Sequence, residues 1–586
     1  MADKKVSQLT EVTSLPDGAK IYAVDLSRAE GDRDVQIAKS NLVTSTGSST
    51  GNDSHINLED YGAVADNLGN AGADSTTAFK NAIADLIALG GGRLYIPFTD
   101  GKRFNIDADT DTPVDYSNIT IFGGGRIFIT GVDPLGNTSR GQFINFASNV
   151  ENFTIKNIDI LASSDCVRNE FYRGVIGSRQ GNFKNINILD CVIKNEVKPE
   201  DEAGVDAITF YADSGDADYT QTIEYLTVKG CEIELFGRSV YGIQLRRKTL
   251  YANIEGNTVS LQYTNQLQQS YNPIAMYGDG EFFTIRNNTV LGGGHSGIAC
   301  SMAANGIVDG NFVYNITNPV EAGIEIEYKV GHGSAPFMTE NINVVNNYVN
   351  NCEYGIWVME RDSSPTSLAP RNINIQGNIV EDCIEVGIFA CSGLTGTPDY
   401  TSRISDISIK DNIVTGATPQ GITVYDGHDT EISGNTIKGT GRGIMLGRNA
   451  NIYPTGFLKV SNNKIIDATV HGIQQESGQA HVIYDSNVVK NNTVHSFNYG
   501  NPVAGAKLTC INNISIDSGN RGFTFVNWQA NAGTVIRGNE VHNSANKSFD
   551  VKIFDGIGDN NMAVNCAGSF TMQIVGSTVL GYNPNY

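Results

Sequence analysis

One short phrase recurs through most of this chain and limits what the chain can fold into. It has six positions. The first and last are apolar, the third is Gly or Asn in most copies, the fourth is always Asn, and the second and fifth vary. It occurs at residues 254–259, 285–290, 308–313, 344–349, 375–380, 409–414, 432–437, 460–465, 489–494 and 536–541. A fixed phrase that returns every 20–40 residues or so indicates a stacked repeat architecture.

A second phrase, Gly–Ile–x–apolar, follows most copies of the first. It begins at Gly242, Gly297, Gly323, Gly355, Gly387, Gly421, Gly443 and Gly472, with Gly522 before Phe523 as a variant. The step from Asn347 to Gly355 is 8 residues, whereas the return from Gly297 to Asn311 is 14 and from Gly323 to Asn347 is 24. Each repeat therefore has one arc of nearly fixed length and one that accepts insertions.

The runs around both phrases predict short strands. Three to five alternating residues rich in Val, Ile and Thr are too short for helices. Asn tolerates the left-handed conformation of a tight corner, and asparagines at the same corner can form a ladder of stacked amides. We predict an all-β, single-stranded parallel β-helix with three short strands per coil. About fourteen coils, each about 4.8 Å from the next, would make a rod on the order of 65 Å long.

The cysteines indicate interior packing. Nine cysteines are scattered without a CxxC pair, and Cys352 and Cys383 each lie five residues after a repeat asparagine. We expect them to stack inside the rod, with Ala417 and Ala468 at the same register. Stacked free thiols are favoured over disulfides or metal ligands.

Charge and hydropathy exclude some partners. A net charge of −22 argues against nucleic acid, and an acidic substrate would need a local basic patch. The opening residues MADKK carry no apolar signal, and no run of about 18 apolar residues occurs, so we expect cytoplasmic synthesis without membrane insertion. Gly90–Gly92 and Gly123–Gly125 lack the spacing of phosphate loops, so no cofactor is indicated.

Residues 74–92 predict a helix that covers one end of the rod. Ser75 or Asp74 can cap it, and Gly90–Gly92 end it. Its apolar stripe is Ala78, Phe79, Ala82, Ile83, Leu86 and Ile87. Such a cover protects open strand edges.

This N-terminal region resembles a known family. INLEDYGAVADN, DSTTAFKNAIADL and GGGRLYIPF, within residues 56–98, are similar to the N-terminal cap of the pectate-lyase-like superfamily of right-handed β-helices. The resemblance implies a right-handed coil with a capping helix. It does not fix an activity, because lyases, hydrolases, epimerases and phage tailspikes share the cap.

Residues 1–45 are similar to the virion-attachment segment of phage tail proteins, with Ser-Gln-Leu near the start and a later Ile-Ala-Lys-Ser-Asn-Leu. The resemblance to tailspikes implies a homotrimer on the virion tail that binds a tail or baseplate protein and degrades a polysaccharide at the bacterial surface. The alternative is a generic β-rich leader. The expected organisation has five parts. Residues 1–45 form the attachment segment, 46–55 a flexible linker and 56–105 the cap. Residues 106–545 form the β-helix with the binding and catalytic sites, and 546–586 end the rod and provide trimer contacts.

Alternation along the Gly–Ile strands predicts an outward stripe. The residue after Gly points in and the next points out, which leaves carboxylates among aromatic rings, as in a saccharide groove. The predicted sugar-binding residues are Trp357, Tyr277, Arg246, Tyr211, Tyr425 and Glu360, with Phe389 and Arg247 nearby. The long arcs 329–340, 360–371 and 391–403 should wall the stripe.

Glu325 and Glu327 are the leading catalytic candidates. They leave one strand about 6.6–7 Å apart, which suits an inverting glycosidase. Mutual repulsion would raise the pKa of one of them, so Glu327 is assigned as general acid and Glu325 as base. Asp279 is the first alternative, followed by Asp213, Glu360 and Asp362; ordinary solvated carboxylates are the other interpretation.

Two other functions stay open. A lyase acting on a uronic acid could use Arg246, Lys329, Tyr277, His295 and His332, with His295 more typical of a loop histidine. The calcium-ligand pattern of pectate lyases is not evident, so no metal is expected. The third possibility is a fibre that binds glycan without cleaving it.

Overall fold

The computed structural model describes most of the chain in two compact units, residues 1–54 and 55–586. In the first unit, Lys20–Val24 pairs antiparallel with Asp34–Ala38. The rest of the expected attachment segment and residues 46–54 of the expected linker lie outside the described residues, and His55 begins a strand of the second unit. The described residues are 20–24, 34–38, 55–67, 72–107, 113–130, 142–166, 174–178, 181–197, 204–211, 221–237, 240–262, 272–319, 321–329, 337–360, 369–392, 404–425, 427–447, 457–477, 481–501, 507–528, 534–554, 556–568 and 571–575.

The second unit consists of three parallel strand ladders, which we call A, B and C in the order in which each coil visits them. Ladder A contains the strands that precede the repeat asparagine: His55–Asn57, Gly92–Ile96, Ile119–Gly123, Asn149–Lys156, Asn182–Leu189, Thr222–Lys229, Lys248–Leu250, Asn253–Glu255, Thr284–Arg286, the second half of Ile298–Asp309, Glu340–Val345, Arg371–Gln376, Ser405–Lys410, Thr430–Ser433, Phe457–Ser461, His481–Asp485, Lys507–Ile511, Thr534–Arg537 and Gly556–Asp559.

Ladder B contains the strands that follow that asparagine: Phe104–Asp107, Arg126–Thr130, Asp159–Ala162, Val192–Asn195, Glu232–Phe236, Thr258–Gln262, Thr289–Leu291, Phe312–Tyr314, Tyr348–Asn350, Ile379–Glu381, Ile413–Thr415, Thr436–Lys438, Lys464–Ile466, Val488–Lys490, Ile514–Ile516, Glu540–His542 and Met562–Val564. Its seventeen strands would span about 75 Å at the usual strand spacing.

Ladder C contains the Gly–Ile strands: Ile144–Asn145, Gly174–Ser178, Asp206–Tyr211, Ile243–Arg246, Ile274–Glu281, the first half of Ile298–Asp309, Ala322–Tyr328, Tyr354–Glu360, Val386–Ser392, Gln420–Tyr425, Arg442–Leu446, His471–Ser477, His495–Asn501, Arg521–Trp528, Phe549–Phe554 and Thr571–Val575. The ladders thus continue beyond residue 545. The expected all-β, right-handed parallel β-helix with three strands per coil is confirmed.

The repeat asparagines form a buried amide ladder. The Asn288 Nδ2 donates to Asn311 Oδ1 at 2.9 Å, and the backbone N–H of Asn288 donates to the same oxygen at 3.0 Å. The pattern repeats along Asn257, Asn288, Asn311, Asn347, Asn378, Asn412, Asn435, Asn463, Asn487, Asn513, Asn539 and Asn561. Each buried amide is therefore satisfied by the next coil, which stabilises the coil register.

The left-handed corner lies one residue before the ladder asparagine. Gly256, Asn287 and Asp411 have φ of 66, 54 and 55°, whereas the ladder asparagines do not adopt positive φ. The expectation that the repeat asparagine itself takes the left-handed conformation is wrong. The two neighbouring positions have different roles. The residue before the ladder asparagine adopts the left-handed conformation and makes the turn, and the asparagine itself makes the hydrogen bonds of the ladder.

One sequence copy is out of register. The ladder asparagine of its coil is Asn487, after Ser486 with φ 57°, so the copy at 489–494 is not equivalent to the others. Asn513 and Asn561 continue the ladder beyond the phrases found in the sequence. The pattern missed these corners because their flanking residues are less regular.

The glycine of the second phrase is required by crowding inside the coil. A Cβ on Gly355 would lie 2.3 Å from the Gly387 carbonyl oxygen and 2.4 Å from Val380. Beside it, Cys352 and Cys383 are buried and free, and Ala417 and Ala468 are buried as expected.

The capping helix spans Thr76–Ala88 and is preceded by a 3₁₀ turn at Leu58–Tyr61. The Asp74 carboxylate accepts the Thr76 N–H at 2.8 Å. The predicted apolar stripe is buried, with the Phe79 ring 5.1 Å from that of Phe143. Ile87 is the exception and is 41% exposed.

Candidate functional site

The outward side chains of ladder C form two columns, as alternation predicts. Glu325 pairs with Trp357 and Glu327 pairs with Met359 in the following strand, while Ile324 and Ile326 belong to the interior core. The first column is Thr209, Gln244, Ala275, Ala299, Glu325, Trp357, Phe389, Thr423 and Met445. The second is Tyr211, Arg246, Tyr277, Ser301, Glu327, Met359, Cys391 and Tyr425.

The expectation that this stripe is an open groove is wrong for most of its members. Glu325 and Glu327 are 2% and 1% exposed, and Trp357 is fully buried. Tyr277, Tyr211, Asp279 and Glu360 are also buried, whereas Arg246 and Tyr425 are half-buried. Alternation fixes which side chains leave the rod, but it does not say what then packs over them.

Part of this burial comes from aromatic side chains of the same strand and of the next two coils. The Trp357 ring lies 4.5 Å from that of Tyr354 and 5.6 Å from that of Phe389. The Tyr425 ring meets Phe389 edge-on at 5.5 Å. These residues form a second apolar cluster on the outside of the rod, so Trp357 presents no open ring face to a sugar in this structure.

A buried acidic network lies next to this cluster. The Ser296 hydroxyl donates to Glu325 Oε2 at 2.6 Å and also lies 3.2 Å from Glu321 Oε2. The other Glu321 oxygen lies 3.0 Å from His295 Nδ1. His295 therefore belongs to the site and is not an isolated loop histidine.

Tyr277 connects this network to the preceding coil. Its hydroxyl donates to Asn272 Oδ1 at 2.7 Å, and the Asn272 amide donates to the Ser296 carbonyl oxygen at 2.8 Å. Burial raises the pKa of Tyr277 well above its usual range, and Tyr241, Glu327 and Glu325 raise it further. With its pKa raised, Tyr277 stays a neutral phenol at neutral pH. Its O–H is therefore kept as a hydrogen-bond donor, and no phenolate is present to act as a base.

Glu327 is held at its backbone. Its carbonyl oxygen accepts the Thr339 hydroxyl at 2.7 Å, and that hydroxyl oxygen accepts the Met302 N–H at 3.1 Å. Both of the glutamates that the sequence selected therefore lie in a polar and tightly bonded region of ladder C.

The two arginines have different environments. The Arg246 guanidinium lies over the Tyr211 ring at 4.9 Å and stays half-buried. Arg247 is fully buried, donates to the carbonyl oxygens of Gly181 and Tyr211 at 2.6 and 2.8 Å, and is structural. The sequence places Arg247 beside the predicted sugar-binding residues, but its side chain is fully buried and is directed at backbone carbonyl oxygens of the rod.

The remaining candidates lie at strand ends. Asp279 has φ of 59° where the register between Tyr277 and Gly280 shifts. Glu360 pairs with Tyr328 and Ser392 in the adjacent strands. Asp213, Asp362, His332 and most of the three long arcs lie outside the described residues.

Sequence reasoning missed Glu321, Ser296 and Asn272. They lie at the entry to ladder C strands, where alternation gives no prediction: Ser296 and Glu321 come just before a Gly–Ile phrase, and Asn272 comes before Pro273 and Ile274. The only signal was a third glutamate four residues before Glu325.

Within the described residues, no cluster of His, Cys, Asp and Glu has the geometry to hold a metal ion. The helices of that same part of the chain include none that is long and apolar enough to span a bilayer.

Comparison with solved structures gives distant matches. The pre-mature gene product 12 of bacteriophage phi29 matches at 14% identity and TM-score 0.47, over 90% of this chain and 73% of that one. The tailspike of Escherichia coli bacteriophage HK620, solved with a pentasaccharide, matches at 11% and 0.35, over 90% and 78%. The A-module of the Azotobacter vinelandii mannuronan C-5 epimerase AlgE6 matches at 15% and 0.36, over 78% and 98%.

No curated protein matches the sequence. The family described as right handed beta helix region matches residues 206–398 and 390–506, which together cover more than half of the chain. The matched residues include nine of the twelve ladder asparagines and the acidic network, and the chain therefore belongs to the right-handed β-helix family.

Proposed function

We propose that the protein is a phage tailspike that binds a bacterial surface polysaccharide and cleaves its internal glycosidic bonds by hydrolysis. The observation that carries this proposal is the acidic network of ladder C. It sets two glutamates on one strand beside a third, in a region where water is scarce. Carboxyl groups are not buried together for packing, because their desolvation is costly.

The contacts support different roles for the two glutamates. A donated hydrogen bond favours the ionised carboxylate, so the Ser296 hydroxyl fits Glu325 to act as base or to orient water. Glu327 then acts as general acid. Tyr277 lies near it with its single O–H donated to Asn272 Oδ1, so its phenol oxygen is the group that accepts a hydrogen bond from the sugar.

Burial of these residues means that glycan binding must uncover the outer face of ladder C. The half-buried Arg246, Tyr425 and His295 are the positions where a polysaccharide first makes contact. The proposed sugar contacts of Trp357, Tyr277, Tyr211 and Glu360 form after that opening.

The test compares Glu325→Gln and Glu327→Gln with wild type on purified surface polysaccharide from a bacterium that the protein binds. Removal of an acid or base is expected to reduce the rate of chain cleavage about 10²–10⁴-fold. Glu476→Gln is the matched control, because Glu476 is half-buried on ladder C and lies five strands farther along that ladder than Glu325. Full activity in both variants would remove the assignment.

The products separate the remaining alternatives. Oligosaccharides that have gained water indicate hydrolysis, products short of water indicate a lyase, and adsorption without any product indicates a binding fibre. Each result can be read from a mass spectrum of the digest.

A further inference from the structure

A column of left-handed residues follows the outer surface of ladder A, away from the acidic network. Each member directly precedes a residue whose side chain or backbone continues the inner wall. The column comprises Asn152, Asn185, Tyr225, Tyr251, Phe282, Asn305, Asn341, Asn372 and Asp406, with φ between 52 and 61°. Asn and Asp tolerate this conformation best, and they occupy every coil of the column except three.

The three exceptions are bulky aromatic residues. Tyr225, Tyr251 and Phe282 are 48, 47 and 48% exposed. Their rings stack at centroid distances of 4.9 and 5.2 Å, with interplanar angles of 7 and 13°. A bulky side chain at positive φ is strained, and the fold has Asn available for this position, so folding alone does not account for these aromatics.

The stack of three rings ends at Tyr225, because the next residue of the column is Asn185, whose side chain is shorter. Tyr251 covers one face of the Tyr225 ring, and the other face is directed toward the coil of Asn185. The shorter asparagine side chains there leave a surface cavity of about 320 Å³, which is in the size range of small-ligand sites. Its lining is Asn152, Thr154, Asn185, Asn187, Tyr225 and Thr227.

The cavity combines an aromatic wall with a floor of neutral amides and hydroxyls. The Asn185 Nδ2 donates to Asn152 Oδ1 at 2.9 Å, and the Asn152 Nδ2 donates to Asn118 Oδ1 at 3.0 Å. Each amide keeps a second N–H, and among the described residues no donor is directed at Asn185 Oδ1. None of the six lining residues is charged.

An aromatic face beside uncharged donors and acceptors matches one class of ligand. A pyranose ring has an apolar C–H face and a rim of neutral hydroxyls, whereas an anion would need a cation in the lining. A protein partner would need roughly 800 Å² of buried surface on this chain, far more than the six lining residues of the cavity provide.

We propose that this cavity is a second glycan-binding site that holds one neutral pyranose unit without cleaving it. The Tyr225 ring stacks on the sugar, Asn185 and Thr227 bind its hydroxyls, and Tyr251 with Phe282 holds the Tyr225 ring in place. The site lies on ladder A and is independent of the reaction proposed for ladder C.

Tyr225→Asn is the decisive variant, because Asn185 and Asn152 occupy the same column with nearly the same φ. Its thermal midpoint should equal or exceed that of wild type. The probes are methyl glycosides of glucose, galactose, mannose, rhamnose and N-acetylglucosamine, measured by saturation-transfer NMR on the full chain. We expect at least one to bind wild type and to bind Tyr225→Asn about tenfold more weakly.

Tyr314→Asn is the matched control, since Tyr314 is 41% exposed on ladder B, and it should keep the wild-type signal. The Glu325→Gln variant should keep it too, so failure of the proposed reaction would not affect this result. The proposal is overturned if no glycoside binds, if binding survives Tyr225→Asn, or if that variant instead changes the oligomeric mass, which would identify the stack as a protein interface.

Discussion

At the scale of single residues, one asparagine amide at each corner of the rod both accepts hydrogen bonds and donates them. The Asn378 Oδ1 accepts the backbone N–H and the Nδ2 of Asn347, each at 2.9 Å. Its own Nδ2 donates to the Val344 carbonyl oxygen and to Asn412 Oδ1 at 2.9 Å. A single buried side chain is therefore bonded to the coil before it and to the coil after it.

This predicts a large effect for Asn378→Ala. Four buried hydrogen bonds are lost, although Asn412 Oδ1 keeps the backbone N–H of residue 378. Each buried group left unsatisfied costs about 1–3 kcal/mol. We expect the free energy of unfolding to fall by at least about 3 kcal/mol, measured from guanidinium unfolding at fixed temperature.

Asn350→Ala is the control, because within the described part of the chain the Asn350 side chain donates one hydrogen bond, to the Tyr348 hydroxyl at 3.3 Å on ladder B. It should change stability by less than about 0.5 kcal/mol. Equal effects of the two variants would show that the amide ladder adds nothing beyond side-chain volume.

At the scale of elements, ladder C places chemically similar side chains in register. Near its C-terminal end, Arg442, His471, His495 and Arg521 pair in consecutive strands. The two imidazole rings stack at 5.2 Å and 7°. Because these four residues occupy the same position in consecutive strands, positive charge is concentrated there whenever the two histidines are protonated.

The stack predicts acid sensitivity. Burial, followed by the charges of His495 and Arg442, lowers the pKa of His471 to about 4, and burial also lowers that of His495. An unfolded histidine titrates near 6.5, so between about 6.5 and 4 the unfolded chain binds protons that the folded chain does not. Stability is therefore expected to fall as pH decreases through this window.

Guanidinium midpoints at pH 7 and 4.5 measure this effect. His471→Asn should reduce the drop between the two pH values, whereas His481→Asn on ladder A should keep the wild-type drop. A wild-type midpoint that is the same at both pH values would contradict the prediction.

At the scale of the whole molecule, the chain divides at residue 54 into two compact units. The β-helix carries its own capping helix, whose apolar face joins the core that runs along the rod. The larger unit therefore contains the capping helix, the core along the rod and the acidic network of the proposed reaction.

We accordingly expect residues 55–586 to fold alone. Far-UV circular dichroism, thermal midpoint and polysaccharide cleavage should match those of the full chain, and light scattering should give the mass of three chains if the proposed trimer contacts lie in the rod. The full chain is the control. An insoluble or inactive fragment would show that residues 1–54 contribute to the fold.

The sequence by itself determined the β-helix, because register follows from short-range rules. Asn at a fixed step from Gly, and Val or Ile at every second position, dictate corners and interior residues independently of distant contacts. It also selected Glu325 and Glu327, since alternation along one strand decides which side chains leave the rod.

Only the tertiary structure decided what covers the outward residues. Burial of Trp357 depends on Phe389 of the next coil in addition to Tyr354 of its own strand. Glu325 accepts a hydrogen bond from Ser296 of the preceding coil. The same holds for the Tyr225 cavity, which exists because a large ring stands next to short amides of the preceding coils. A periodic sequence specifies direction and register, but contact between coils depends on the sizes of side chains that are 20–40 residues or so apart, and no local pattern contains that information.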